Sequence, residues 1–373
     1  METLKTIAVI IGFIERPNES DIEMVVNVGG TINRIYRIID AISANVPENA
    51  IDTIRRSPKV EYIEIDEKVF AHTDGRIPIG TCQEIKALKQ MIPWGVNRIG
   101  ARLVNNLTEN TGQGIRIAIL DTGIDKDHEC LSKNFKGGYN FVDNNTDLTD
   151  LNGHGTHVAG IIAAEDNDTG VIGVAPNAYI YSVKVLDYTA SGSASNIVAG
   201  MEWAAENDIQ IINASLGSDS NSISFRRSVE NVYNGGILIV AAAGNSGNGM
   251  GTGDNIDFPA KYNEVISVGA TDINDKRARF SSTGPSLELS APGVDIPSTL
   301  PKNKYGTLSG TSMSAPHVTG VAALVMKANP GMANIDIRVR LQVTTQNIAK
   351  NGFLSKKEWY GYGLVDAVKA VSL

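Results

Sequence analysis

The stretch Ile115-Arg116-Ile117-Ala118-Ile119-Leu120-Asp121-Thr122-Gly123 decides the fold. Its first six residues are almost continuously apolar, as expected of a strand buried on both faces of a parallel sheet. Runs of the same texture recur at 180–186 (IYSVKVL), 209–216 (IQIINASL), 237–243 (ILIVAAA) and 264–270 (EVISVGA). Helical patterns are expected at about 155–165, 195–207, 222–235 and 312–328. Strands alternating with helices predict an α/β fold with a doubly wound, mostly parallel sheet.

The 373 residues are enough for roughly two domains. With 42% hydrophobic and 20% charged residues, the chain has the composition of a packed protein rather than a disordered one. The net charge of -8 argues against a nucleic-acid partner. Two cysteines exclude a disulfide scaffold and a four-cysteine zinc site. No apolar run reaches the ~18 residues of a membrane helix, so no membrane partner is expected. The 37 glycines are an excess that implies tight turns and close backbone approaches.

Upstream, the texture changes near residue 73. Residues 1–73 carry 8 basic and 12 acidic side chains, against 25 and 29 in the remaining 300. The first segment reads as a small α+β unit. A strand is expected at Thr6–Ile14, then a helix opened by a Ser20/Glu23 capping box and ended by Gly29-Gly30. Two strands follow at about Thr31–Arg37 and Ile39–Val46, then a helix from Pro47-Glu48 to Ser57, then a long strand Val60–Ala71. The order βαββαβ is the ferredoxin-like pattern. Residues 74–91 read as an exposed connector and 92–373 as the α/β domain. The apolar run Ile7–Ile14 has signal-peptide length, but Glu15-Arg16-Pro17 follows without a cleavage site, which favours a buried strand.

Three blocks carry the chemistry. Asp121 ends the first α/β strand, at the carboxyl edge where such sheets place their sites; alone, it reads as a turn or cap residue. His154, in Asn152-Gly153-His154-Gly155-Thr156-His157, opens a helix between two glycines that allow close approach to its imidazole. HxxH without the glutamate of HExxH argues against metal there, leaving His157 a packed residue. Ser312, in Gly310-Thr311-Ser312-Met313-Ser314-Ala315-Pro316-His317, starts an apolar helix. It reads either as an N-cap or as a nucleophile beside amide N–H groups that face a developing anion. Together the blocks supply what a weak serine nucleophile needs: a histidine base, and an aspartate to orient it.

The motifs DTGID, NGHGTHVAG and GTSMSAPH, in this order, identify the chain as resembling subtilisin-family serine proteases (subtilases) over nearly all of residues 92–373. The order acid, histidine, serine is the known subtilisin order. The resemblance implies a serine endopeptidase acting through an acyl-enzyme, with Asp121, His154 and Ser312 as the triad. Asn245 would complete the oxyanion hole. Ser191-Gly192-Ser193 and Ser215-Leu216-Gly217 resemble the segments that sandwich an extended polypeptide substrate. The S1 pocket would lie between Ser215–Gly217 and Ala242–Gly244. Its floor would be set by Asp257, which either adds a preference for Lys or Arg at P1 or turns out to solvent. Residues 1–73 resemble the subtilisin propeptide, an intramolecular inhibitor removed by self-cleavage near His72–Asp74, with later trimming at Arg76.

Relatives commonly hold structural calcium, and matching gives the ligands as the Gln90 and Asn167 side chains and the carbonyls of Glu165, Thr169 and Val171. Cys130 stands where the usual aspartate ligand falls, and a thiol is a poor partner for a hard cation; structural calcium is still expected if Glu165, Asp166 or Asp168 compensates, the alternative being that these are ordinary surface charges. Cys130 would lie near Gln90, so a Cys82–Cys130 bridge and two free thiols are both open. A monomer is expected; the long inhibitory segment favours an extracellular enzyme, and a cytoplasmic processing protease is the alternative. A catalytically silent peptide-binding relative is the alternative function.

Overall fold

The computed structural model describes residues 5–72, 89–349 and 357–373. Most of the connector, with Cys82, Arg76 and the bonds after Thr73, lies outside them.

The N-terminal unit contains β1 (Thr6–Phe13), α1 (Glu19–Asn27), β2 (Thr31–Ile35), β3 (Ala41–Pro47), α2 (Ile51–Arg55) and β4 (Val60–Ile65). Its antiparallel sheet has the order β2-β3-β1-β4, as βαββαβ requires. Val9, Ile11 and Phe13 of β1 pack with Val25, Ile42, Val46 and Ile54 into a core of its own. The helix start differs from expectation. Asn18 is the cap, accepting from the Ser20 amide at 3.0 Å, while the Asp21 carboxylate accepts from the Asn18 amide at 3.0 Å. Asparagine caps as well as serine, and Asp21 closes the box three residues on. The second helix opens with a single 3-10 turn over Glu48–Ala50.

The long strand expected at Val60–Ala71 is two strands. β4 stays in the N-terminal sheet, and β5 (Lys68–Ala71) joins a different one. Asp66 turns away at the break to accept from the Ser195 amide and hydroxyl, at 2.8 and 2.6 Å. Two sheets compete for one run of residues, and alternation within the run carries no mark of the exchange.

The α/β unit begins with α3 (Trp94–Arg98) and α4 (Ala101–Thr108), which lead into β6 (Arg116–Asp121). There follow β7 (Phe135–Asn140), α5 (His154–Ala163), β8 (Tyr179–Lys184), β9 (Ser191–Ser193), α6 (Ala194–Glu206) and β10 (Ile211–Ala214). Then come β11 (Leu216–Gly217), α7 (Ile223–Asn234), β12 (Leu238–Ala242), β13 (Val265–Thr271) and β14 (Leu289–Pro292). The hairpin β15 (Ile296–Leu300) and β16 (Lys304–Leu308) precedes α8 (Thr311–Ala328). Seven parallel strands are ordered β14-β13-β12-β10-β6-β8-β7. β7 and β14 escaped the sequence pattern because FKGGYN and LSAP are not apolar runs.

Period-2 alternation along β6 sends Ile117 and Ile119 into the core beneath α5 and α8, and Ala118 and Leu120 into the core beneath α6 and α7. Both faces are therefore buried, which is why the run reads as continuously apolar. Tyr36, Ile39 and Val69 of the N-terminal segment join the second core. Glu64 accepts from the Ser222 hydroxyl at 2.9 Å and from the Ile223 and Ser224 amides at 2.8 and 3.0 Å. Glu64 and Asp66 thus place carboxylates on the amino-terminal turns of α7 and α6, where free N–H groups favour negative charge.

Candidate active site

Asp121 is the last residue of β6 and is 1% exposed. Its Oδ1 accepts from the Thr122 amide at 2.7 Å and lies 2.7 Å from His154 Nδ1; Oδ2 lies 2.9 Å from the same nitrogen. A carboxylate on Nδ1 favours the proton on that nitrogen and leaves Nε2 with a free lone pair able to accept one. Among the described residues His154 Nε2 is buried without a hydrogen-bond partner. Gly155 is needed beside it, because a Cβ there would collide with the Gly123 carbonyl and press on Asp121.

Asp150, which the sequence reading passed over, holds the turn before His154. Its carboxylate accepts from the Thr122 hydroxyl, the Gly153 amide and the Thr156 amide and hydroxyl, at 2.6–2.9 Å. A lone aspartate ahead of Asn152-Gly153 looks like any turn former, so only its burial at 3% distinguishes it. His157 is buried one turn into α5, with Nε2 3.2 Å from the Gly306 carbonyl.

Ser312 lies in the first turn of α8. Its hydroxyl donates to the Ser215 carbonyl at 2.9 Å, and the Ser215 hydroxyl donates back to the Ser312 carbonyl at 3.0 Å. Pro316 explains the second bond. Having no N–H, it leaves the carbonyl four residues earlier without its helical partner. Asn213 Nδ2 donates to the Ser215 hydroxyl at 2.9 Å, and Thr319 donates to Asn213 Oδ1 at 2.8 Å, so the pair is held from the sheet and from α8. Asn245 Oδ1 accepts from the Thr311 amide and hydroxyl at 3.0 and 2.9 Å. Its Nδ2 is buried and has no hydrogen-bond partner among the described residues.

The chain's own segment occupies the cleft. β5 lies between β9 and β11 in an antiparallel three-stranded sheet, pairing Lys68–Phe70 with Ser193–Ser191 and Phe70-Ala71 with Gly217-Leu216. The His72 amide donates to the Ser215 carbonyl at 3.3 Å, and the Ser312 amide donates to the His72 carbonyl at 3.4 Å. The His72 side chain enters the space between the two predicted S1 walls. Gly217 is required there, since a Cβ would overlap the imidazole. The Asp257 amide donates to Ala243, and the Asp257 side chain is 15% exposed with Oδ2 3.4 Å from His72 Nε2. Asp257 therefore faces the pocket, not solvent. Burial, with the nearby charge of Asp219, pushes its pKa up to about 6. Burial and His154 push His72 down to about 4.

The residues matched to a calcium site also meet. Gln90 Nε2 donates to the carbonyls of Glu165, Thr169 and Val171, at 2.6, 3.3 and 3.4 Å. Cys130, buried, has its sulfur 3.5 Å from the Thr169 carbonyl and 4.0 Å from Asn167 Oδ1. The carboxylates of Glu129, Glu165 and Asp166 are engaged by Tyr305, the Lys133 amide and Arg102. Among the described residues no three His, Cys, Asp or Glu side chains are grouped to hold a metal. Neutral oxygens and a thiol do not match the carboxylate-containing oxygen shell that calcium favours.

No described helix is long and apolar enough to cross a membrane. The model of the subtilase family matches residues 112–363. The chain is 41% identical over 335 residues to an alkaline protease of Alkalihalobacillus alcalophilus, covering 90% of this chain and 80% of that protein. It is 42% identical over 335 residues to alkaline elastase YaB of a Bacillus species, with the same coverage. To subtilisin E of Bacillus subtilis it is 39% identical over 343 residues, covering 92% and 83%. With an α/β architecture, a buried Asp-His pair and likeness over nine-tenths of its length, this chain belongs to the subtilase family and is a serine endopeptidase.

Proposed function

We propose that this serine endopeptidase is made as a self-processing zymogen, that residues 1–72 are its inhibitor, and that the first cut follows His72. The observation that carries the reading is the bond from the Ser312 amide to the His72 carbonyl, with β5 threaded between β9 and β11. A scissile carbonyl must sit on the donors that will hold its oxyanion.

Ser312 Oγ attacks the substrate carbonyl, and His154 Nε2 accepts its proton. Asp121 holds the imidazole in the required tautomer and stabilises its charged form. The Ser312 amide and Asn245 Nδ2 receive the developing oxyanion. His154 then protonates the leaving amine, and water hydrolyses the acyl-enzyme. After the first cut, β5 keeps its pairing in the cleft and the N-terminal unit inhibits as a bound product. Ser191–Ser193 and Ser215–Gly217 bind polypeptide backbone without regard to sequence, and Asp257 gives S1 a preference for basic residues. The family likeness supports an extracellular enzyme, which we take to act as a monomer.

N-terminal sequencing tests the reading. Active enzyme should begin at Thr73 or a few residues beyond it, while Ser312→Ala chain should remain uncut. A mature terminus within residues 1–65 would overturn it.

A further inference from the structure

The loop 165–171 lines a small cradle of inward-facing oxygens. Three are the backbone carbonyls of Glu165, Thr169 and Val171, which cannot turn away without breaking the loop. Asn167 Oδ1 is fixed by the Thr169 amide and hydroxyl, and its Nδ2 donates to the Glu129 carbonyl at 2.9 Å. Converging acceptors need a positive partner, or their desolvation is uncompensated. Two kinds of group satisfy them: a cation, or a donor with several hydrogens.

The charge inventory separates the two. A buried dication is stabilised by anionic ligands, whereas the three carbonyls, the Asn167 amide and the Cys130 thiol are neutral, and the carboxylates of Glu129, Glu165 and Asp166 are engaged elsewhere. Where a carboxylate would offset the charge stands Cys130, a soft sulfur suited to other ions than calcium. Its sulfur already contacts the Tyr305 hydroxyl at 3.1 Å. The Gln90 amide carries two hydrogens and lies within 3.4 Å of all three carbonyls. Its backbone continues the same attachment: the Gln90 amide donates to Asp168, Met91 to Gly170, and Ile172 back to Met91, at 3.0, 2.7 and 3.2 Å.

We propose that the Gln90 amide closes this loop in place of a divalent cation, so that the anchoring of the segment entering the α/β unit is independent of calcium. One neutral side chain, already tethered by its backbone, fills a space in which an ion would be uncompensated.

Thermal unfolding of the full chain carrying Ser312→Ala, which cannot digest itself, tests this. The Tm should be the same in excess EGTA and in millimolar calcium. In EGTA, adding Gln90→Ala should lower Tm by several degrees. Adding Cys130→Asp to the Ser312→Ala chain should create a calcium-dependent rise. A calcium-dependent rise in the Ser312→Ala chain that disappears with Asn167→Ala overturns the proposal. So does a Gln90→Ala chain with an unchanged Tm in EGTA.

Discussion

His72 Nε2 and Asp257 Oδ2 face each other across 3.4 Å, with both side chains largely withdrawn from solvent. One belongs to the segment threaded through the cleft, the other to the wall of the pocket it fills. Burial works on both in the same sense, favouring the uncharged imidazole and the protonated carboxyl. The pocket therefore has a poorly solvated carboxylate, disfavoured by burial and by Asp219 and offset only in part by Lys261, which is itself paired with Asp254; a guanidinium or ammonium would relieve that condition.

Matched peptides with Arg or Phe at P1 should differ at pH 8 by roughly 10–100-fold in kcat/KM in favour of Arg. That is the range of a charge-assisted hydrogen bond worth about 1.5–3 kcal/mol. The carboxyl is anionic above its pKa, so the ratio should fall as pH drops through about 6. Taking the ratio cancels titrations common to both substrates. Asp257→Asn should flatten it. Equal turnover of the two peptides at pH 8 removes the basic preference.

The carboxylates of Glu64 and Asp66 sit on the first turns of α7 and α6. Losing such a cap costs about 0.5–2 kcal/mol, or roughly 2–30-fold in affinity. Inhibition of mature enzyme by the peptide 1–72 should weaken by that factor for Glu64→Ala and for Asp66→Ala. The two effects should combine nearly multiplicatively, because the caps serve different helices.

Asn245 Nδ2, which lies beside Thr311 and Ser312, is buried with no hydrogen-bond partner among the described residues. Asn245→Ala should lower kcat by roughly 10²–10³-fold with little change in KM, the size known for the corresponding donor in a subtilisin. An equal loss expressed in KM would mean that Nδ2 binds the ground state instead.

Two other buried histidines should make the fold acid-sensitive. Burial holds His317 at about 4, and burial with the His154 charge holds His157 at about 3. Both values lie below the ordinary 6.5, so the folded chain binds fewer protons than the unfolded one. Their contribution is fully present above pH 6.5, declines as pH falls below that value, and is completely lost once pH has fallen through 4 and 3. Between pH 6.5 and 5 each should cost about 2 kcal/mol. Urea unfolding of the Ser312→Ala chain at pH 7 and 5 measures the sum. His317→Gln should reduce the difference, and an unchanged pH dependence would contradict the assignment.

Sequence alone determined the class of the fold, the order βαββαβ, and the type of chemistry. Strands buried on both faces must be continuously apolar, and Asp121, His154 and Ser312 stand in short motifs whose glycines and proline mark close backbone approaches. Helix starts were less legible, because Asn18 and Ser20 are equally good caps and only the packed chain selects one. Tertiary structure alone decided where the run Val60–Ala71 divides, since two sheets offer hydrogen bonds to the same residues. It decided that Asp150 holds the turn before His154 and that Ser215 replaces the bond Pro316 cannot make. It also decided that Asp257 faces inward beside His72. These relations join residues far apart in sequence, and side-chain direction at such contacts is set by packing, which local pattern does not encode.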